Sequence, residues 1–101
     1  MNDEIIFNKT GSNAFVATNI DYVLRNIGVK NIVFVGLLTD ECVAGTVKSA
    51  ADLGYDCTVI EDACLAGTVE RHQAAITGLR RFAAVETIES WLDSTQAKSR
   101  L

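Results

Sequence analysis

Apolar residues along the chain form short runs separated by amphipathic and polar stretches. Strands are predicted at four of these runs, which are Ile5–Phe7, Ile32–Val35, Cys57–Ile60 and Ala84–Glu86. The third is expected to end at the acidic pair Glu61-Asp62. The second is apolar at every position, which is typical of a parallel strand covered by helices on both faces. We therefore expect that strand to be buried on both sides.

Four amphipathic stretches predict helices, each with an apolar stripe at helical spacing. Each follows a residue that can cap a helix: Thr18, then Thr39 or Asp40, then Thr68, then Thr87. The predicted inward-facing side chains are Ile20, Val23, Leu24 and Ile27; Val43, Val47, Ala50 and Ala51; Val69, Ala75, Ile76, Leu79 and Phe82; and Ile88, Trp91 and Leu92. Gly28 and Gly54 are placed to end the first two helices. The polar tail, residues 94–101, is expected to fray.

The alternation of strands and helices predicts an α/β fold with right-handed crossovers and a parallel sheet. Ligands bind such sheets outside the carboxyl ends of the strands. The loop after Val35 is therefore the expected place for a functional site, and Cys42 lies in it.

Charge and hydropathy disfavour two classes of partner. Nine Lys and Arg residues against thirteen Asp and Glu residues give a net charge of −4, and the longest basic run is Arg80-Arg81, so nucleic-acid binding is disfavoured. The longest apolar run, Ile32–Leu38, is far shorter than the ~18 residues of a membrane span. The first residues, Met1–Glu4, are acidic where a secretory signal would be basic. We therefore expect a cytoplasmic protein that binds neither nucleic acid nor a membrane.

Three cysteines and one histidine are the candidates for thiol or metal chemistry. An odd number of cysteines without a CxxC pair fits a reducing compartment and does not suggest a disulfide framework. A zinc site would need Cys42, Cys57, Cys64 and His72 together, at spacings that match no common zinc pattern. We expect Cys57 and Cys64 to be buried packing residues. We expect His72 to be a core or capping histidine with satisfied hydrogen bonds rather than a catalytic base.

Cys42 follows a predicted strand by one tight turn and falls in the first turn of a predicted helix. Unpaired backbone N–H groups favour an anion there, which makes a thiol a better nucleophile and could also hold an oxyanion. A small buried hydrophobic residue is the alternative, as for most free cysteines. Lys9, just after the first predicted strand, is either an ordinary solvated lysine or a group that would stabilise a thiolate beside it.

Two parts of the chain carry a resemblance to a known family. The downstream part consists of Gly36–Val47 (GLLTDECVAGTV), Ala50-Ala51, Gly54-Tyr55 and Glu61–Cys64. It resembles the isochorismatase-like cysteine hydrolases, which include nicotinamidases and N-carbamoylsarcosine amidases. The upstream part resembles the lysine segment of that family and consists of Lys9, Ser12, Phe15 and Thr18. The resemblance extends from Ile5 to about Leu92.

The resemblance implies a Rossmann-like, three-layer α/β/α fold and a site without a cofactor. Cys42 would attack the carbonyl of a small-molecule amide or ureido substrate and form a thioester, with Lys9 holding the thiolate. The backbone N–H groups of Leu38 and Cys42 would form the oxyanion hole, and the Leu37-Leu38 peptide bond would be cis. Isochorismatases proper, which cleave a vinyl ether, lack the cysteine, so its presence favours the amidohydrolase branch.

The chain departs from the family pattern in its N-terminal part. The family acid follows a first hydrophobic strand that has no counterpart here, and Asp3 and Glu4 do not match that motif. The metal-binding aspartate and histidines of some nicotinamidases have no counterpart either. Family domains are about twice as long, so residues 1–101 are interpreted as a partial domain, the C-terminal half, which lacks two strands at the centre of the sheet. We therefore expect an open sheet edge, a homo-oligomer, and an acid supplied from elsewhere.

Two other interpretations compete with a hydrolase. A non-catalytic truncated homologue would act through association or ligand binding, and the missing acid is the feature that favours it. A nucleotide-binding α/β domain has little support because no GxGxxG or P-loop glycine pattern follows a strand.

Overall fold

The structure is a computed structural model, and it describes residues 13–16 and 18–99, with side chains through residue 94. The predicted strand Ile5–Phe7 and the candidate residue Lys9 lie outside the described residues, as do Asp3 and Glu4.

The described elements occur in the order that the sequence predicts. They are α1 (Ile20–Asn26), β1 (Asn31–Leu37), a π-helical turn (Thr39–Val43), α2 (Ala44–Asp52), β2 (Asp56–Leu65), α3 (Val69–Leu79), β3 (Ala84–Glu86) and α4 (Ile88–Ser99). The three strands form one sheet in the order β1-β2-β3, and both pairings are parallel. This arrangement confirms the predicted α/β fold.

The core lies between the sheet and helices α2 and α3. Its most deeply buried apolar side chains are Val47 and Ala50 of α2, Val59 of β2, and Ile76 and Leu79 of α3. Burying each of the larger aliphatic side chains contributes roughly 1.5–3 kcal/mol to stability. The stripes predicted for these two helices are therefore confirmed at their centres.

The first turn of α3 differs from the predicted stripe. Thr68 caps the helix as predicted, because its hydroxyl oxygen accepts a hydrogen bond from the Arg71 N–H at 3.1 Å. Val69, however, is 73% exposed, so the prediction that it faces inward is wrong. It lies on the same helical stripe as Ile76, but the whole first turn of α3, Val69–Arg71, is exposed. Phe82 is also exposed, because the helix ends at Leu79, three residues before it.

Helix α1 begins later than the predicted cap implies. Asn19 occupies the N-cap position and makes no side-chain cap bond. The Thr18 hydroxyl donates to the Ala14 carbonyl and accepts only a long bond, 3.4 Å, from the Ile20 N–H. The Thr18 cap prediction is therefore wrong in position. The end of the helix is as predicted, at Gly28, which has a φ of +82° that favours glycine.

Strand β2 is longer than predicted, because it continues to Leu65 instead of ending near Glu61. The extension pairs with the end of β1, where Gly36 lies opposite Cys64 after an irregularity between Phe34 and Gly36. Gly36 has a φ of +120° at this irregularity, a conformation that favours glycine. The glycine thus lets the two strands resume pairing after the bulge.

Only one face of β1 is covered by the described residues. Ile32 and Phe34 pack against the core, whereas Val33, Val35 and Leu37 are 40%, 58% and 64% exposed. The prediction of a strand buried on both faces is therefore wrong for the described part of the chain. The physical reason is that no described element lies against the outer face of β1 or beyond its free edge.

Helix α4 packs against β2 and extends further than predicted. Thr87 caps it as predicted, since its hydroxyl accepts from the Ser90 N–H at 3.1 Å. The Ile88 N–H donates to the Asp62 carboxylate at 2.9 Å. The helix continues to Ser99 and so includes the first residues of the predicted polar tail.

Candidate functional site

Cys42 lies at the carboxyl end of β1, on the π-helical turn that leads into α2. The Leu38 carbonyl oxygen organises this turn, accepting hydrogen bonds from the backbone N–H groups of Glu41 and Val43, each at 3.1 Å. The prediction that Thr39 or Asp40 caps the helix is therefore wrong, because the turn has no side-chain cap bond and is closed by backbone bonds. Short π-helical turns are rare and occur frequently at functional sites.

The peptide bond between Leu37 and Leu38 is cis, at the position that the family resemblance implies. It joins the last residue of β1 to the turn that carries Cys42. Leu38, the predicted oxyanion-hole residue, thus lies at the start of the same turn as the candidate nucleophile.

Cys42 is half-buried and opens into a cleft of about 210 Å³. Side chains from β1, α2 and the N-terminal segment line the cleft: Ala14, Phe34, Val35, Leu37, Cys42, Val43 and Thr46. None of these described lining residues carries a formal charge. The cleft adjoins the exposed side of β1, so whatever covers that strand would also form a wall of the cleft.

The segment that follows Lys9 is anchored beside this cleft. The Asn13 side-chain amide donates to the Gly45 carbonyl at 2.9 Å and to the Ser49 hydroxyl at 2.6 Å. The Ala14 N–H donates to the Thr46 hydroxyl at 3.0 Å. These bonds attach the upstream segment to the first turns of α2, directly after the turn that carries Cys42. Asn13 was not predicted as part of the site, although it lies between Ser12 and Phe15 of the lysine-segment motif.

Thr39, the first residue of the turn, contacts His72 of α3. Thr39 is 0% exposed, and its hydroxyl lies 2.8 Å from Nδ1 of the half-buried His72 on α3. This contact confirms the prediction that His72 is a histidine with a satisfied hydrogen bond. Thr39 itself was expected only as a cap, and its role in the contact was not predicted.

The other two cysteines are buried, as predicted. Burial raises the pKa of the Cys57 thiol, and the nearby Asp56 carboxylate raises it further. Burial also raises the pKa of the Cys64 thiol, opposed by a hydrogen bond from the Gly36 backbone. Both thiols are therefore held in their neutral, unreactive form at neutral pH.

Neither a metal cluster nor a membrane-crossing helix occurs in the part of the chain that the structure describes. No group of three or more His, Cys, Asp and Glu side chains there is arranged to hold a metal ion. No helix there is both long and apolar enough to span a bilayer.

Comparisons with known proteins agree with the motifs. A family model described as the isochorismatase domain matches residues 1–90. Ureidoacrylate amidohydrolase RutB of Acinetobacter baylyi is 34% identical over 95 residues, which cover 93% of this chain and 36% of that protein. An isochorismatase-like hydrolase from Alkaliphilus metalliredigens superimposes with a TM-score of 0.88 at 26% identity, covering 93% of this chain and 52% of the other. The pyrazinamidase/nicotinamidase of Streptococcus mutans superimposes with a TM-score of 0.73 at 35% identity, covering 76% and 44%.

The chain is short relative to these proteins. It spans 36% and 56% of the first two curated relatives and 52% of the first structural neighbour. The similarity therefore reaches nearly the whole of this chain but only about half of each relative or less.

Proposed function

Because the chain belongs to the isochorismatase family, we propose that it carries the nucleophile of a hydrolase that cleaves the C–N bond of a small amide or ureido compound. Two kinds of relative support this substrate class, a ureidoacrylate amidohydrolase and a nicotinamidase. The observation that carries the proposal is the position of Cys42, on a π-helical turn at the carboxyl end of a parallel strand and open to a cleft.

In the proposed reaction, the Cys42 thiolate attacks the carbonyl carbon of the substrate. A C–S bond forms, and the negative charge on the carbonyl oxygen is held by the backbone N–H groups of Leu38 and Cys42. The C–N bond then breaks, and the nitrogen leaves as ammonia or an amine after it takes up a proton. Water hydrolyses the resulting thioester, which releases the acid product and restores the thiol.

The proposed reaction needs a base and an acid beside Cys42, and no charged side chain lines the described cleft. Lys9, four residues before the anchored Asn13, is proposed to hold the thiolate. The acidic partner has no counterpart in the sequence motif, so we propose that another segment or another chain supplies it. The open side of β1, which adjoins the cleft, is where such a segment would complete the site.

A non-catalytic homologue is the second candidate function. The uncharged lining of the described cleft favours it, since a cleft without a base would bind a small molecule without turning it over. The two candidates differ in whether Cys42 is chemically activated.

The experiment that tests the proposal is competitive alkylation of the folded chain at neutral pH, read at each cysteine by mass spectrometry. An ordinary thiol is only about one-tenth ionised at pH 7.5. Full stabilisation of its thiolate therefore raises the alkylation rate up to tenfold or so. We expect folded Cys42 to react faster than the same residue in the urea-unfolded chain, and much faster than folded Cys57 and Cys64. Slow alkylation at all three cysteines would contradict the nucleophile assignment.

A second measurement addresses turnover. We expect little hydrolysis of nicotinamide or ureidoacrylate by the chain alone, because the acidic partner is missing. Rapid turnover that disappears in Cys42→Ala would confirm the nucleophile and contradict the need for a supplied acid.

A further inference from the structure

The Thr39–His72 contact joins the Cys42 turn to helix α3. Thr39 is the first residue of the turn and has no exposed surface. His72 belongs to α3, whose start is held by the Thr68 cap. A hydroxyl buried this deeply needs a hydrogen-bond partner, and His72 provides it at 2.8 Å.

His72 does not itself face the Cys42 cleft. It lines a separate cleft of about 400 Å³ with the segment Leu65–Val69. Its Nδ1 is also occupied by Thr39, in the neutral imidazole and in the protonated form alike, because a hydroxyl can either donate or accept. His72 is therefore poorly placed to act as a base on a substrate held at Cys42, and well placed to act through Thr39.

We propose that His72 is a positioning residue that fixes the Cys42 turn through the Thr39 hydroxyl. The turn's other hydrogen bonds are made by its own backbone: the N–H groups of Glu41 and Val43 donate to the Leu38 carbonyl, and the Ala44 N–H donates to the Thr39 and Glu41 carbonyls. Among the described residues, the Thr39 side chain therefore makes the hydrogen bond that joins this turn to α3. Its relevance to catalysis rests on the proposed role of Cys42, but the positioning itself can be measured independently.

The test uses two matched pairs of variants in the full chain. Thr39→Val removes the hydroxyl at nearly constant shape, whereas Thr39→Ser keeps it. His72→Leu removes the hydrogen-bonding group, whereas His72→Asn keeps one close to the Nδ1 position. Two quantities are measured: hydrogen exchange at the Glu41 and Val43 amides, and the ratio of Cys42 alkylation rates in the folded and urea-unfolded chain.

We expect Thr39→Val and His72→Leu to speed exchange at the Glu41 and Val43 amides about tenfold, because the turn opens locally more often. Exchange at Val47 and Ala50, in the buried part of α2, should stay unchanged. The Cys42 alkylation ratio should fall roughly threefold, since the N–H groups no longer hold the thiolate. Greater exposure alone would raise this ratio. Thr39→Ser and His72→Asn should retain the parent values.

Unchanged exchange at Glu41 and Val43 in both disruptive variants would overturn the proposal. Equal acceleration throughout α2 would also overturn it, because it would indicate general loss of stability. If Thr39→Val does not fold, the comparison of His72→Leu with His72→Asn decides the question. If the parent Cys42 is not activated, the proposed function fails, whereas the exchange data still decide whether His72 positions the turn.

Discussion

The three cysteines of this chain differ in their surroundings more than their sequence neighbourhoods suggest. Cys42 is half-buried on a turn beside an open cleft, whereas Cys57 and Cys64 lie within β2 in the core. A thiol within a strand core loses hydration and keeps its proton, which makes it a poor nucleophile. The chain therefore has one accessible thiol, that of Cys42, and two buried thiols that are inert.

The buried thiols predict how stability depends on pH. The pKa of Cys57 and that of Cys64 are raised above the ordinary value of 9.0, and burial with the Asp21 hydrogen bond raises the pKa of Tyr55 above 10.0. Above about pH 9 the unfolded chain releases protons that the folded chain retains. The free energy of unfolding should therefore fall as pH rises through this range.

Urea titrations from about pH 8 to about pH 10.5 measure this dependence. Cys57→Ala serves as the control, because removing one shifted group should make the slope against pH shallower, whatever the variant does to the absolute stability. A free energy of unfolding that stays constant over this range would contradict the prediction.

The sequence predicted the burial of Cys57 and Cys64 and a satisfied His72, but not the hydrogen-bond partner of His72. Burial was expected for Cys57 within its predicted strand and for Cys64 because most free cysteines are buried packing residues. The satisfied His72 follows from its place on a helical stripe. The partner of His72 could not be predicted, because Thr39 begins a π-helical turn and local propensity does not distinguish such a turn from an ordinary helix start.

Among the elements, α3 allows the contribution of an N-cap side chain to the free energy of unfolding to be measured against a matched control. Thr68 accepts from the Arg71 N–H at 3.1 Å, so Thr68→Ala should lower the free energy of unfolding by about 1 kcal/mol. Thr77→Ala is the matched control on the same helix, because the Thr77 hydroxyl only bonds back to the Gln73 carbonyl. That replacement should be neutral or slightly stabilising, since alanine has the higher helix propensity.

Chemical denaturation of both variants measures this difference. Equal effects of the two replacements would show that the Thr68 side chain contributes no specific cap.

Local sequence patterns predicted several helix ends correctly but not the end of strand β2. Gly28, Thr68 and Thr87 mark helix ends correctly, because a cap or a positive φ is a local requirement. The extension of β2 to Leu65 could not be predicted from Glu61-Asp62, whose acidity suggested an end. It depends on the bulge at Gly36 in a different strand, after which Gly36 pairs with Cys64 and Leu37 with Leu65, each 28 residues away in sequence.

At the scale of the whole molecule, the outer face of β1 is apolar and is not covered by any described element. Val33, Val35, Leu37 and the neighbouring Leu65 form an exposed apolar patch in the described structure. The strand sequence Asn31–Leu37 also contains neither charge nor proline, the usual protection of a sheet edge. We therefore expect the isolated chain to self-associate through this face.

Sedimentation velocity at several micromolar concentrations tests this expectation. Val33→Lys should shift the chain toward monomer, because a charge on the patch would have to be buried on association. Val69→Lys is the control, since it places the same charge on an exposed valine of α3. A monomeric parent chain, or equal effects of the two variants, would contradict the assignment of the patch.

The fold class was predictable from the chain alone, but the burial of β1 was not. Alternating strands and helices specify a parallel α/β sheet whatever its size. The apolar run Ile32–Val35 indicates burial on two faces, yet its own helices cover only one. The pattern is therefore that of a strand covered on both faces, whereas the described residues cover one, and the first structural neighbour is about twice as long as this chain.

The anchoring of Asn13 and Ala14 to α2 has a kinetic consequence. Three hydrogen bonds hold these residues beside the Cys42 cleft, and Lys9 is joined to them through only four peptide units. An extended chain of that length reaches at most about 14 Å. A group on so short a tether meets its target as an intramolecular partner, at an effective concentration in the millimolar range or above. The proposed pairing of Lys9 with the Cys42 thiol would therefore need no intrinsic affinity between the two groups.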